Sequence, residues 1–415
     1  MTRGRSTLTP DVGRCRDNLS MSSQVAYVEP SLLVWARQSA NLVPLAAARK
    51  IGVTQARVEE WEAGTRRPTI PELRKAAGVY NRPLGVFFLP EPPQGFETMR
   101  DFRRLDPGES GEWSAALHAE YRRAHLQRDA ILDVLELDGA EVPEGWQLRG
   151  LRGDDSEVAA AIRAHLMEHA PLPFPARSRD KYAHLNYWTS ALEEAGVLVM
   201  STEGGQVSTD EMRAFSLYFE DVPVIVLNGA DYPRPRTFSL IHEYVHLLLH
   251  TEGLCDTTTD TRATTADRRL EARCNVIAAT VLMPAGEVLR QSVVAQHEPA
   301  DPWTLDDLIV AARPFGVSVE SFLRRLVTLG LASPEAYQAF RDSNRADAIE
   351  APPNKGGNFF NTKVRDLGKG YVRRVADAYG RTLLDSTTAA TYLDVKVGQI
   401  ARLADTARLK NSAGA

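Results

Sequence analysis

A chain of 415 residues, 43% of them hydrophobic and 25% charged, carries enough apolar material for two or three ordinary domains, so neither disulfides nor a metal is needed merely to fold it. The composition excludes a disordered chain, and no apolar run approaches the roughly twenty uncharged residues that a membrane-spanning helix requires. The formal charge of −5, from 49 basic and 54 acidic residues, says little about partners until it is resolved along the chain.

Residues 1–30 open with twenty polar, aperiodic positions and read as a disordered tail, with Met21 as an alternative start. No apolar stretch suited to export stands there, so the expected compartment is the cytoplasm and no membrane partner is expected. The cysteines, Cys15, Cys255 and Cys274, are odd in number and lack paired spacing, which argues against a disulfide framework and an all-cysteine zinc ribbon.

Helical signals then come in short pieces over 31–39, 44–50, 54–62, 70–80 and 83–89, which predicts a five-helix bundle at 31–93, closed by the turn-forming run EPPQG. Between positions 31 and 90 nine bases face four acids, an excess of +5 against the sign of the whole chain. Within it, LAAARKIGVTQARVEEWEAG (45–64) reads as helix, tight turn and helix, with alanines where helices approach, Gly52 in the left-handed turn and Thr54 as cap. Val58 and Trp61 fall at core spacing. Thr54, Gln55 and Arg57 at the start of the second helix, with Arg66 and Arg67 in the loop beyond, are side chains that contact phosphates and base edges. The same spacing would serve a bundle used only for protein contacts; the local charge favours DNA, and paired half-sites would suit a homodimer.

Residues 94–172, with helical periodicity at 112–137 and 156–168, read as a helical connector. In 173–300 a helix at 181–195 leads into GVLVM, AFSLYF and VPVIVLN, short runs expected to make a small sheet, and helices resume at 237–250 and 267–282. Residues 301–346 read as a helical, helix-turn-helix-like subdomain and 347–415 as a C-terminal helical region jointed at 353–357. The expected fold class is mainly α with one small α+β domain.

The sharpest signal is TFSLIHEYVHLLLH (237–250). Four residues apart on a helix, His242 and His246 can present imidazole nitrogens to one Zn2+, while Glu243, about 100° round, faces the water that such an ion activates. A core helix has no reason to carry two histidines and a carboxylate on its most apolar stretch, where unpaired polar groups are costly. A tetrahedral catalytic zinc needs a third protein ligand, and Glu271 in LEARCNVIAATVLMP (270–284) is the candidate. Asn275, one turn later, could accept the spare ring N–H of a ligating histidine. Cys274, His250, Cys255 and Asp256 are competing ligands. These pieces allow metal-assisted peptide hydrolysis with Glu243 moving the proton, and Tyr218, Tyr232 and His250 are candidate oxyanion donors. An extended substrate could pair with the edge of strand 215–219 or 222–227.

RTFSLIHEYVHLLLH followed by EARCNVIAATVLMP resembles the ImmA/IrrE family of zinc metallopeptidases, and LAAARKIGVTQARVEEWEAGTRRPTIPELRKAAGVYNRPLGVFFLPEPP resembles an Xre-type helix-turn-helix. AFSLYFEDVPVIVLNG is similar to the family's sheet. LIVAARPFGVSVESFLRRLVTLG and GGNFFNTKVRDLGKGYVRRVADAYG are similar to its later helices, so the likeness runs from about residue 31 to near 404. The resemblance implies a zincin-like domain in which His242, His246 and Glu271 hold zinc and Glu243 is the base. Cys274 and Ile277 stand where the family usually has alanine and an aromatic. It also implies regulated cleavage of a repressor protein, on mobile elements or in stress responses. A regulator whose zinc domain senses without cutting, and a toxin–antitoxin type interaction protein, are the alternative readings.

Overall fold

The structure, a computed structural model, describes residues 25–39, 42–80, 82, 84–88, 114–143, 145–148, 151, 153–251, 265–298, 301–347 and 358–409. The chain divides into two compact units, residues 1–96 and 97–415. The joint expected at 353–357 lies outside the described residues.

The first unit holds α1 (Pro30–Ser39), α2 (Pro44–Ile51), α3 (Gln55–Glu62) and α4 (Ile70–Val79). The fifth expected helix is a 3-10 turn, Leu84–Phe88, five residues between Pro83 and Pro90 and too short for settled α-helical bonding. Gly52 ends α2 at φ +83, a conformation that only glycine adopts at no steric cost, and Thr54 caps α3 by accepting the Arg57 N–H. Ala47, Ala48, Ile51, Val58 and Trp61 fill the space between the two helices, and the Arg37 guanidinium on α1 holds Glu62 of α3 at 2.6 Å. Packing starts ahead of Ser31: the Ala26 N–H donates to Pro68 O, and Ala26 and Val28 are buried.

The second unit is built on a three-stranded sheet, β1 (Leu198–Ser201), β2 (Ala214–Leu217) and β3 (Val224–Leu227), in the order β1-β3-β2. β1 runs parallel to the central β3 and β2 antiparallel to it. Helices cover both faces, which is why the strands are nearly continuous apolar runs rather than alternating ones. Before the sheet come α5 (Ala115–Asp138), α6 (Asp155–His169) and α7 (Ala183–Ala195); after it come α8 (Pro233–Thr251), α9 (Thr265–Leu282), α10 (Ala285–Leu289) and α11 (Ser292–Ala295). The chain continues through α12 (Leu305–Ala312), α13 (Val319–Thr328), α14 (Pro334–Asp347), α15 (Phe359–Leu367), α16 (Lys369–Gly380), α17 (Ser386–Tyr392) and α18 (Ile400–Leu409).

Val199, Ala214, Ile225 and Leu227 belong to the core shared with α6 to α9, α12 and α13. Leu198, Met200, Phe215, Val224 and Val226 belong to the core shared with α5 and α15 to α18. The stretch 94–172, read above as a connector, therefore supplies a helix to each core, α5 to one and α6 to the other. At the α15–α16 junction Gly368 sits at φ +88 against β1, where an added Cβ would meet Val199 O at 2.1 Å. Among the described residues no helix is long and apolar enough to cross a membrane.

Candidate metal centre

α8 is buried nearly all round: Leu240, Ile241, Tyr244, Val245, Leu247, Leu248 and Leu249 are each almost inaccessible, so burial against α7, α9 and the sheet rather than amphipathicity holds it. Its geometry puts His242 and His246 one turn apart with both Nε2 atoms converging, 2.9 Å from each other. α9 brings Glu271 to them, Oε1 at 3.3 Å from His242 Nε2 and Oε2 at 3.2 Å from His246 Nε2. A tetrahedral ion with bonds of roughly 2.0–2.1 Å keeps its ligand atoms about 3.3 Å apart, so two imidazoles and a carboxylate at these separations fit one such ion. The Phe238 ring stacks near His242, 6.1 Å between centroids, and His242 is almost wholly enclosed.

The partner at the far side of His246 is not the one expected. Cys274 Sγ lies 3.7 Å from His246 Nδ1, and no hydrogen bond joins Asn275 to either imidazole among the described residues. Both residues follow Glu271 by about one turn, but Cys274 is fully buried on the side of α9 that faces α8 whereas Asn275 is half-exposed. Were a metal to take the Nε2 lone pair, the ring hydrogen would sit on Nδ1, facing the sulfur. Cys274 is therefore on the ring's other nitrogen and outside the converging donor set.

Glu243, also buried, turns toward the sheet, where the Ser216 hydroxyl donates to its Oε2 at 2.8 Å. Ser216 lies on β2, and sequence reasoning passed it over; a polar residue in the run AFSLYF was the one available signal. The register, Ala214 with Leu227 through Leu217 with Val224, and the Asn228 N–H bond to Arg213 O put the main-chain groups of Ala214 and Ser216 on the side away from β3. β2 is thus an outer strand beside the site. β3 is paired on both sides, which removes 222–227 as an edge for a substrate.

Tyr218 continues the Ser216 face of β2 and packs its ring edge-on to Trp146 at 5.9 Å. The Trp146 carbonyl accepts the Tyr244 hydroxyl at 2.8 Å. Tyr232 is exposed and precedes α8 by one residue, ten residues before His242 and so about 15 Å from it along the axis; this separates it from the cluster. The His250 side chain, Cys255 and Asp256 lie outside the described residues.

Residues 192–327 match the family model of the IrrE N-terminal-like domain, an M78 peptidase family, and residues 33–87 match the helix-turn-helix model. The chain carries both domains. None of the curated proteins matches the chain. The IrrE N-terminal-like domain takes in the sheet, α8 and α9, and with them the His242, His246 and Glu271 group.

In the helix-turn-helix DNA-binding domain the five residues expected at DNA all lie at or after the start of α3. The Thr54 hydroxyl is the α3 cap, and Gln55 Nε2 donates to Glu59 Oε1 at 2.7 Å. Arg57 stands 3.8 Å from Glu60 and 3.7 Å from Glu72, Arg66 stands 3.8 Å from Glu60, and the Arg67 guanidinium lies 4.2 Å over the Tyr27 ring. Surface pairs of this kind contribute about 0–1 kcal/mol, so phosphates can displace the carboxylates.

Proposed function

We propose that the chain is a DNA-binding zinc metalloendopeptidase that cuts a regulatory protein, a transcriptional repressor in the first instance. The observation that carries this reading is the triad of ligand atoms at tetrahedral spacing with Glu243 next to it. Two imidazoles, which are borderline donors, and one hard carboxylate are a set that zinc, a borderline ion, accepts in its catalytic sites. Bound there, the ion would supply Lewis acidity toward a peptide carbonyl and water of lowered pKa.

The protein's own groups do the rest. Glu243 accepts the proton of the attacking water and delivers it to the leaving amine, and the Ser216 hydroxyl fixes the carboxylate for both transfers. Cys274 holds the His246 ring in the tautomer that leaves Nε2 a lone pair. The outward main-chain groups of Ala214 and Ser216 suit an extended substrate laid antiparallel along β2, which favours an internal peptide bond over a chain end. Of the three oxyanion candidates, Tyr218 is on the face shared with Ser216. The helix-turn-helix domain takes the protein to an operator through Gln55, Arg57, Arg66 and Arg67, as a homodimer on paired half-sites. Both partners, DNA and a repressor, place the work in the cytoplasm.

The deciding experiment measures zinc per chain and cleavage of neighbouring regulators for the wild type, Glu243→Gln and His246→Ala. The Gln variant is expected to keep zinc and lose cleavage, and the Ala variant to lose both. A Gln variant that cuts at the wild-type rate removes Glu243 as the base.

A further inference from the structure

The turn that defines the N-terminal helix-turn-helix domain recurs near the other end of the chain with a constant offset of 342 residues. Gly52, at φ +83, corresponds to Asp394, at φ +47, one of three non-glycine residues with positive φ among those described. The N–H of the next residue, Val53 or Val395, reaches back five residues to the carbonyl of Ala48 or Ala390, at 3.0 Å in each case. Thr54 and Lys396 then hold the same extended cap conformation, φ −79 and ψ 154 against φ −73 and ψ 147. The core positions agree without a gap: Ala47, Ala48, Ile51, Val58 and Trp61 map onto Ala389, Ala390, Leu393, Ile400 and Leu403, all buried.

A third copy is centred on Gly316 at φ +66, with Ala311, Ala312, Phe315 and Phe322 in its core. Its turn is packed against α7, where a Cβ on Gly316 would meet the His184 ring, and its exposed charges are mixed, Asp306 and Glu320 with Arg313 and Arg324. At Asp394 the turn is open to solvent instead. Lys396, Val397 and Gly398, in the cap and 3-10 turn that lead into α18, and Arg402 in its first turn are exposed. Positions 363–410 carry ten bases against five acids, an excess of +5 that equals that of the N-terminal bundle in a chain whose total is −5. The carboxylate of Asp394 itself is met by Lys363 Nζ at 2.6 Å.

We propose that α16, α17 and α18 form a second helix-turn-helix surface that binds double-stranded DNA. The 3-10 turn Val397–Gln399, capped by Lys396, and the first turn of α18 that continues it enter the major groove; Lys396 and Arg402 contact phosphates, and the exposed Val397, in the position of Gln55, offers an apolar contact to a thymine methyl. The inference is independent of the peptidase reading, since it uses none of the residues at the metal centre.

The test uses the full chain and a pool of random-sequence 30-base-pair duplexes, with anisotropy titrations across a range of KCl. Removing two phosphate contacts lowers the slope of log K against log salt by about 0.9 each, so Lys396→Ala with Arg402→Ala should lower it by about 1.8. The same fall is expected when Arg57, Arg66 and Arg67 are already alanine, and the charge-keeping exchange Lys396→Arg with Arg402→Lys should restore the slope. A double variant with wild-type circular dichroism and unchanged slope overturns the proposal, as does one that loses affinity for single-stranded RNA of the same length but not for the duplex. Should the variant not fold, photocrosslinking the wild type to bromodeoxyuridine duplex decides: adducts within 386–409 support the surface, and their absence there refutes it.

Discussion

The Ser216 hydroxyl donates to Glu243 Oε2 at 2.8 Å, so the outer strand of the sheet and the carboxylate beside the two histidines are joined directly. A hydrogen bond to a charged group contributes about 1.5–3 kcal/mol. Ser216→Ala is therefore expected to lower kcat/KM on a protein substrate by roughly tenfold or more, with zinc content unchanged. Equal kcat/KM in the two proteins would detach Ser216 from the proton transfer.

Cys274 and Asn275 separate by their effect on metal retention. Replacing a group that orients a metal-bound histidine commonly costs about 10–100-fold in metal affinity. Cys274→Val, which removes the sulfur from His246 Nδ1, should weaken zinc toward the lower end of that range in competition with a chelating dye. Asn275→Ala should leave it as it is. Comparable losses in both would mean that packing of α9, rather than the sulfur, governs retention.

A pH dependence of stability is built in at the end of α7. Burial pushes the Glu193 carboxyl up to about 7, against the pull of the Gly370 N–H, Arg373 and Lys369. Its ordinary value is 4.5, so the folded protein binds a proton there that the unfolded chain has released. Stability falls as pH rises from about 4.5 to about 7, by roughly 3 kcal/mol in all at 1.36 kcal/mol per unit. Glu193→Gln should remove that fall, raising the denaturant midpoint at pH 8 and changing it little at pH 4. An equal effect at both pH values would show that ionisation is not its cause.

Gly368→Ala introduces a Cβ 2.1 Å from Val199 O at a residue with φ +88. Since the obstacle is backbone and not the tip of a flexible side chain, relief requires α15 or α16 to lift from β1. A loss of more than about 2 kcal/mol is expected in chemical denaturation. Gly398→Ala, where an added Cβ meets nothing within 4 Å, is the control.

Much of this is legible in the sequence because it is local. The pairing of His242 with His246 follows from four-residue spacing on any helix, and the caps and left-handed turn around Gly52 follow from single residue types. The grouping with Glu271 was readable from a second helical pattern at a short remove. What needed the structure depends on register or on which way a helix faces. Ser216 meets Glu243 only once β2 is laid beside α8. The choice between Cys274 and Asn275 turns on a rotation of α9 that its own sequence leaves open. Tyr232 is one of three candidate oxyanion donors, and helical rise carries it away from the histidines along α8. The packing duties of α5 and α6 were invisible because their partners, α16 and α9, lie more than a hundred residues downstream.

The two-faced sheet bears on which fragment of the chain can stand alone. The stretch that carries the family likeness, 192–327, contains the strands but not the helices that roof one side of them. Excised alone, it would bare Leu198, Met200, Phe215, Val224 and Val226 to water, a greasy plane inviting aggregation. A fragment that keeps both faces of the sheet covered is accordingly the whole of the second compact unit, 97–415.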